Sequence, residues 1–306
     1  MFLDTTVVIR SIGERTEQVC KKLILDQGIS KNQVHLVREI PFSQALYKSY
    51  EIGIDSGCKW TLCVDADVQL RPGSISEILR LAEKQNDSIC EIQGFMMDKY
   101  FGGIRKGGIH LYRSSLLPLV KEQIPNEGDD IRPETQTLCN MKKLGYNRAV
   151  VSYVVGIHDD EQFNKDIYRK AFVHGVKHMN RLPLFVTLWK ERLSEDSDFE
   201  VALFALSESI KSTDQLYINA EQEIYSSMFE KSGFKEKNPL RPKDISLESV
   251  EKKIQHWKSP DLYFSYFPTR DGYDSAFSGL LKKVSRFNKR YGTKKLIKIG
   301  FNKITK

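Results

Sequence analysis

The opening third of the chain alternates at short intervals between two kinds of hydrophobic pattern. Residues 6–10, Thr-Val-Val-Ile-Arg, are an apolar, β-branched run, whereas residues 16–27 carry Val19, Leu23 and Ile24 at helical spacing and stop at Gly28. Residues 34–37 read as a second strand and 44–56 as a helix stopping at Gly57; a third strand follows, and then a helix over 74–85, with Ser74 as its expected N-cap. Short buried strands alternating with amphipathic helices predict a doubly wound, mostly parallel α/β sheet with helices on its faces. Ligands of such open sheets bind outside the carboxyl ends of the strands. Here those ends are Arg10, Glu39 and the pair Asp65 and Asp67.

Residues 59–68 read Lys-Trp-Thr-Leu-Cys-Val-Asp-Ala-Asp-Val, an apolar strand ending in two aspartates one residue apart. In an extended chain Asp65 and Asp67 would face the same side. Two carboxylates there suit a divalent cation and the phosphates it carries. The spacing alone is weak evidence, because 19 aspartates in 306 residues give about one such pair by chance. Asp196-Ser197-Asp198 is a second pair, in a polar stretch where a solvated face is expected. The strand context separates the two.

Further strands are expected over 90–96, 109–112 and 148–157, with a glycine-rich, mobile-looking segment at 98–108. An acidic loop, 125–132, contains Glu127, Asp129 and Asp130 and leads into Pro133, which suits a first helical position. The helical period then dominates over 167–181, 184–193, 200–212 and 216–231, followed by a proline-containing connector at 238–244. The expected division is 1–165, a helical extension over 166–276, and a basic tail over 277–306. The longest apolar stretches, 149–157 and 182–189, are too short to span a bilayer. The N-terminus enters a strand without a signal-peptide pattern, and five cysteines without paired spacing fit reduced thiols, so a cytoplasmic protein is expected. Net charge is +7, but residues 278–306 carry ten Lys or Arg and no Asp or Glu, leaving about −3 (7 − 10) for the rest. Cations mixed with apolar side chains over 280–306 point to an anionic membrane surface. A solvated tail and a nucleic-acid contact are the alternatives, and no nucleic acid is expected as partner.

Residues 5–170 resemble the family 2-like glycosyltransferases, which have the Rossmann-like GT-A fold. The loop from Arg10 through Ser11 and Glu14 to Arg15 resembles their nucleotide-contacting loop; Lys48 stands where they commonly carry arginine; Asp65-Ala66-Asp67 matches their metal motif. Glu134 matches the base of inverting members, although Pro133 replaces part of a frequent Glu-Asp pair. Glu39 ends the second strand where an aspartate is usual, and His158 matches the histidine that completes the metal site in many GT-A enzymes. The resemblance implies a nucleotide-diphosphate sugar as donor, a UDP-sugar first, and a glycan or lipid-linked acceptor. It implies Mn²⁺ or Mg²⁺ on Asp65, Asp67 and His158, with Asp65 alternatively on the ribose, and Arg10 and Lys48 along the diphosphate. Glu134 is the first choice of base and Asp130 the second. A retaining transferase and a non-enzymatic scaffold using the tail are the competing functions. Among the other candidates, His110 is expected near the acceptor, and His174 and His178 in solvent-facing or capping roles. Phe42, Tyr47, Trp60 and Tyr100 are expected as packing, Tyr100 being the best candidate for stacking on a sugar.

Overall fold

The structure, a computed structural model, describes residues 4–129, 132–178, 181–211 and 223–256. Its sheet contains β1 (Thr5–Arg10), β2 (Val34–Val37), β3 (Trp60–Asp65), β4 (Val68–Leu70), β5 (Ile89–Asp98), β6 (Gly103–Lys106), β7 (Ile109–Arg113) and β8 (Asn147–His158). Their order is β2-β1-β3-β7-β5-β8-β4, with β6 on β5. β1 runs parallel to β2 and β3, and β5 parallel to β8, while β7 is inserted antiparallel between β3 and β5. This is the helix-covered, mostly parallel sheet that the GT-A resemblance implies.

Strands covered on both faces must be apolar on both faces, which is why Val7, Val8 and Ile9 follow one another without a polar break. Val7, Ile9, Leu62 and Val64 face α1 (Glu17–Leu25) and α3 (Ser74–Ala82) through Ile24, Ile75 and Ile78. Val8, Cys63 and Tyr112 face α2 (Phe42–Asp55), α4 (Leu117–Glu122) and α5 (Pro133–Lys143) through Leu46, Leu117 and Leu138.

Three local expectations are corrected. β3 stops at Asp65, and Ala66-Asp67 is a turn into β4, so the two aspartates meet through that turn and not through strand alternation. Gly73 at φ +70° takes the N-cap expected of Ser74. The segment at 98–108 is ordered as the β5–β6 hairpin and the turn through Gly107 (φ +131°) and Gly108 (φ +74°) into β7.

The helices that follow are α6 (Asn164–Lys177), α7 (Leu182–Arg192), α8 (Asp198–Lys211), α9 (Glu223–Ser232) and α10 (Leu247–Gln255). α6 meets α8 at Gly175, where an added Cβ would lie 1.8 Å from Ser209 Oγ. α10, which the helical pattern did not announce, returns to the sheet. Its Val250 packs with Val19 and Leu23 of α1 and Ile157 of β8, and its Glu251 pairs with Arg71 at 2.5 Å. Asp196 and Asp198 are not a solvated face: Asp198 is buried, and Lys99 bonds both at 2.6 Å. Two expectations, Asp130 and the basic tail over 277–306, lie outside the described residues. Among the described residues no helix is long and apolar enough to cross a membrane.

Candidate metal centre

Strand pairing assembles the site. Arg10 and Asp65 are partners at the ends of β1 and β3, and Arg10 Nε donates to Asp65 Oδ1 at 2.9 Å. The turn after Asp65 is pinned on both sides: the Ala66 amide donates to the Arg10 carbonyl at 2.9 Å, and Thr16 Oγ1 donates to the Ala66 carbonyl at 2.8 Å. β8 lies between β4 and β5, with His158 opposite Val68 on one side and Asp98 on the other. Ligand atoms of Asp65, Asp67 and His158 consequently fall within 4.8 Å of one another, as do those of Asp98, His158 and Asp159.

The imidazole is aimed. His158 Nδ1 lies 2.9 Å from Asp98 Oδ2 and 3.0 Å from Asp159 Oδ2, which leaves Nε2 facing Asp67 Oδ1 at 3.5 Å. Asp98 is itself fixed, accepting from the amides of Tyr100 and Phe101 at 3.0 and 2.8 Å and pairing with Arg105. Arg105 and His158 together hold its carboxyl down at about 2 against the effect of burial. A carboxylate on the far nitrogen is how metal-binding histidines are commonly oriented. Gly108 makes room for the ring, since a Cβ there would meet His158 Cδ2 at 2.9 Å and Val68 Cγ2 at 2.7 Å.

Asp67 is 7% exposed, and its Oδ1 accepts no hydrogen bond. Such an oxygen is costly to bury, by about 1–3 kcal/mol or more when charged. A divalent cation between Asp67, Asp65 and His158 would give it a partner, and the mixed oxygen and imidazole set suits Mn²⁺ or Mg²⁺. The residues fit the ion. Without the ion, burial opposes charge on His158 but Asp159 and Asp67 outweigh it and push the pKa up to about 10, so a metal ion must displace the Nε2 proton to bind there. The second oxygen of Asp67 is taken by Lys170 Nζ at 2.6 Å.

Behind Asp65 runs a buried chain of alternating charge. Arg10 Nη1 donates to Glu134 Oε1 at 2.7 Å, Tyr112 Oη donates to the same oxygen at 2.8 Å, and His110 Nε2 lies 3.0 Å from Glu134 Oε2. His110 Nδ1 then reaches Glu91 Oε1 at 2.9 Å. Burial works against the charge on Glu134, but Arg10 and His110 hold its carboxyl far below the usual range. His110 moves the other way: burial is outweighed by Glu134 and Glu91, raising it to about 9. Both oxygens of Glu134 are engaged within the fold. His110 is likewise part of this chain and not an exposed acceptor contact.

The remaining candidates divide. Ser11 Oγ lies 2.7 Å from both Glu14 Oε2 and Glu17 Oε2, its one proton going to one of them, which closes the loop after β1 on the start of α1. Burial and the Asp67 charge raise Glu14 to about 7. Ala66 is buried in the turn. Glu39 is exposed beyond β2, and Lys48 pairs with Glu51 at 3.5 Å along α2, outside the group around Arg10. Phe42 is 40% exposed under the Arg10 guanidinium, while Tyr100 is buried edge-on to Trp189 and Phe199. His174 and His178 stack on each other beside Phe101, and desolvation drives His174 down to about 3, so it is neutral and half-buried within an aromatic cluster.

Sequence reasoning passed over Asp98, Lys170 and Glu91, and took Asp159 only as acidic context for His158. Asp98 ends an apolar run as Asp65 does, a signal that could have found it. Lys170 had no such signal.

Fold and site define the class: an α/β protein with an acidic–imidazole cluster that could hold a cation at the edge of a mixed sheet. No protein-family model matches the chain. It is 26% identical over 197 residues to a GTP 3′,8-cyclase of Thermodesulfovibrio yellowstonii, covering 61% of this chain and 60% of that relative's length. Among solved structures, the mannosyltransferase PcManGT from Pyrobaculum calidifontis, in complex with GDP-Man and Mn²⁺, is 12% identical (TM-score 0.40, 75% of this chain and 79% of that one). A glycosyltransferase involved in glycosylation of the PBCV-1 major capsid is 14% identical (TM-score 0.34, 49% and 82%). A cytidylyltransferase from Leptospira borgpetersenii is 12% identical (TM-score 0.35, 70% and 99%). These likenesses point to different activities, and none of them assigns one to this chain.

Proposed function

We propose that the protein is a metal-dependent glycosyltransferase. It moves a sugar from a nucleoside-diphosphate donor, a UDP-sugar first, to a hydroxyl of a glycan or lipid-linked acceptor, with inversion. The observation that carries this reading is the buried, unbonded Asp67 Oδ1 facing a His158 Nε2 that Asp98 and Asp159 aim at it. Mn²⁺ or Mg²⁺ held by Asp65, Asp67 and His158 would supply Lewis-acid neutralisation of the charge that develops on a leaving diphosphate.

The chain's own residues do the rest. Arg10 holds Asp65 at the sheet edge, and the closed Ser11–Glu14 loop bounds the nucleotide side of the site. An acceptor hydroxyl must lose its proton as it attacks, and a base with a free lone pair and adequate proton affinity is needed. Glu134 serves Arg10 and His110 with both oxygens, so the base falls to the acidic loop before α5, with Asp130 the candidate. The basic tail would keep the enzyme at the inner face of the plasma membrane, beside a lipid-linked acceptor.

The test is thermal stabilisation by UDP with Mn²⁺, together with a panel of nucleotide-sugars screened for Mn²⁺-dependent hydrolysis. Both effects are expected in the wild type and absent in Asp67→Ala. A wild type indifferent to Mn²⁺, or an Asp67→Ala variant that still responds, refutes the reading.

A further inference from the structure

Lys170 sits on α6, beyond the last strand, yet its ammonium reaches the sheet edge. Nζ lies 2.6 Å from Asp67 Oδ2 and also bonds Asp159 Oδ1. The two residues are also tied through the backbone, since the Asp159 amide donates to the Asp67 carbonyl at 3.2 Å. The mechanism above makes no use of this lysine.

The two oxygens of Asp67 differ: Oδ2 holds Lys170, and Oδ1 accepts no hydrogen bond. A divalent cation on Oδ1 brings two positive charges close to an ammonium on the same carboxylate, and like charges at a few ångströms repel strongly near a protein surface. A lysine has a long flexible stem and follows an anion readily. The anion that arrives with this metal is the diphosphate. Nζ lies 2.6 Å from Asp67 Oδ2, so a phosphate group brought to a cation on Oδ1 would be a neighbouring anion for it.

We propose that Lys170 is a diphosphate-binding residue of the donor site, kept on Asp67 and Asp159 as their counter-cation and transferred to the diphosphate when a divalent ion takes Asp67. This rests on the donor and metal reading above. It predicts opposite effects on two affinities when Lys170 is removed. A merely structural ion pair would weaken both together or change neither.

Full-length wild type and Lys170→Met are titrated calorimetrically with Mn²⁺ alone, and then with UDP at saturating Mn²⁺. Lys170→Met is expected to bind Mn²⁺ about tenfold more tightly, through loss of the repulsion. It should bind UDP about tenfold more weakly, through loss of a charge-assisted bond. Unchanged or weakened Mn²⁺ binding, or unchanged UDP binding, overturns the proposal. Wild-type labelling with an amine-reactive reagent, read by mass spectrometry, gives the same answer should the variant fail to fold. Lys170 should become more reactive with Mn²⁺ alone and less reactive again on adding UDP. Constant reactivity while Mn²⁺ demonstrably binds overturns this inference and leaves the donor reading standing; a wild type that binds no Mn²⁺ overturns both.

Discussion

Replacing Glu134 by glutamine separates a fold anchor from a general base. The carboxylate has three partners, Arg10 Nη1 at 2.7 Å, Tyr112 Oη at 2.8 Å and His110 Nε2 at 3.0 Å, in a side chain 11% exposed. Glutamine keeps the shape and one carbonyl oxygen, which can still accept from Arg10 and Tyr112. Its amide nitrogen must then face His110 Nε2, donor against donor, since a histidine with a carboxylate on each nitrogen carries both protons. Removing one partner of a buried ion pair costs about 3–5 kcal/mol. At roughly 2–4 °C per kcal/mol for domains of 150–250 residues, Tm should drop by about 6 °C or more. Donor affinity should fall with it, because the bond that Arg10 keeps to the glutamine oxygen is no longer charge-assisted, which weakens the brace behind Asp65. The assay is thermal unfolding of wild type and Glu134→Gln, with UDP–Mn²⁺ affinity measured on both. A variant with wild-type Tm and donor affinity, whose transfer is reduced about 10²–10⁴-fold, would refute the anchor argument and return Glu134 to the role of base.

The remaining predictions concern pH, the brace on His158 and the tail. The folded pKa of His110, about 9, lies above its unfolded value of about 6.5. Its contribution is therefore complete below about pH 6.5 and is lost as pH rises through 9, so the urea midpoint should fall over that interval. His110→Gln should start lower and vary less, and a curve as steep as wild type's would show that His110 is not the group. Asp98→Asn weakens the hold on His158 Nδ1 and should reduce Mn²⁺ affinity about 10–100-fold by calorimetry; undiminished affinity would mean that Asp159 alone aims the ring. Truncation after Ala276 should abolish sedimentation with anionic liposomes, each tail cation contributing about 1 kcal/mol at the surface, while turnover of a soluble acceptor persists.

The sheet is legible in the sequence where burial is two-sided. Val7-Val8-Ile9 and Leu62-Cys63-Val64 can only be strands that are covered on both faces, and Gly28 and Gly57 stop the helices between them. The strand-end rule then points to Arg10, Asp65 and Asp67 without any structure. It fails where a short element is defined by its partner. β6 has four residues, two of them basic, and exists as a strand because β5 offers it a ladder. Asp198 looks solvated in a polar stretch until Lys99 arrives from the end of β5. Lys170 reads as one more cation on a helix, because linear spacing does not encode the distance from α6 to Asp67.

The charges passed over in the sequence explain how the aspartates survive at the sheet edge. A buried carboxylate without compensation would take up a proton and lose its use as a ligand. Here each faces a cation: Arg10 for Asp65, Arg105 for Asp98, Lys170 shared by Asp67 and Asp159, and His158 beside Asp159. Arg105 and His158 hold the Asp98 carboxyl down, His158 and Lys170 hold that of Asp159 down, and all four carboxylates are oriented within the fold itself. These cations also lower the attraction for any further cation, so a divalent ion must displace charge to bind. A cluster without counter-cations would bind metal more tightly and, on the proposed donor reading, would release it with a diphosphate product more slowly. Weak, exchangeable metal binding is what the proposed transfer, with its metal-bound leaving group, would require.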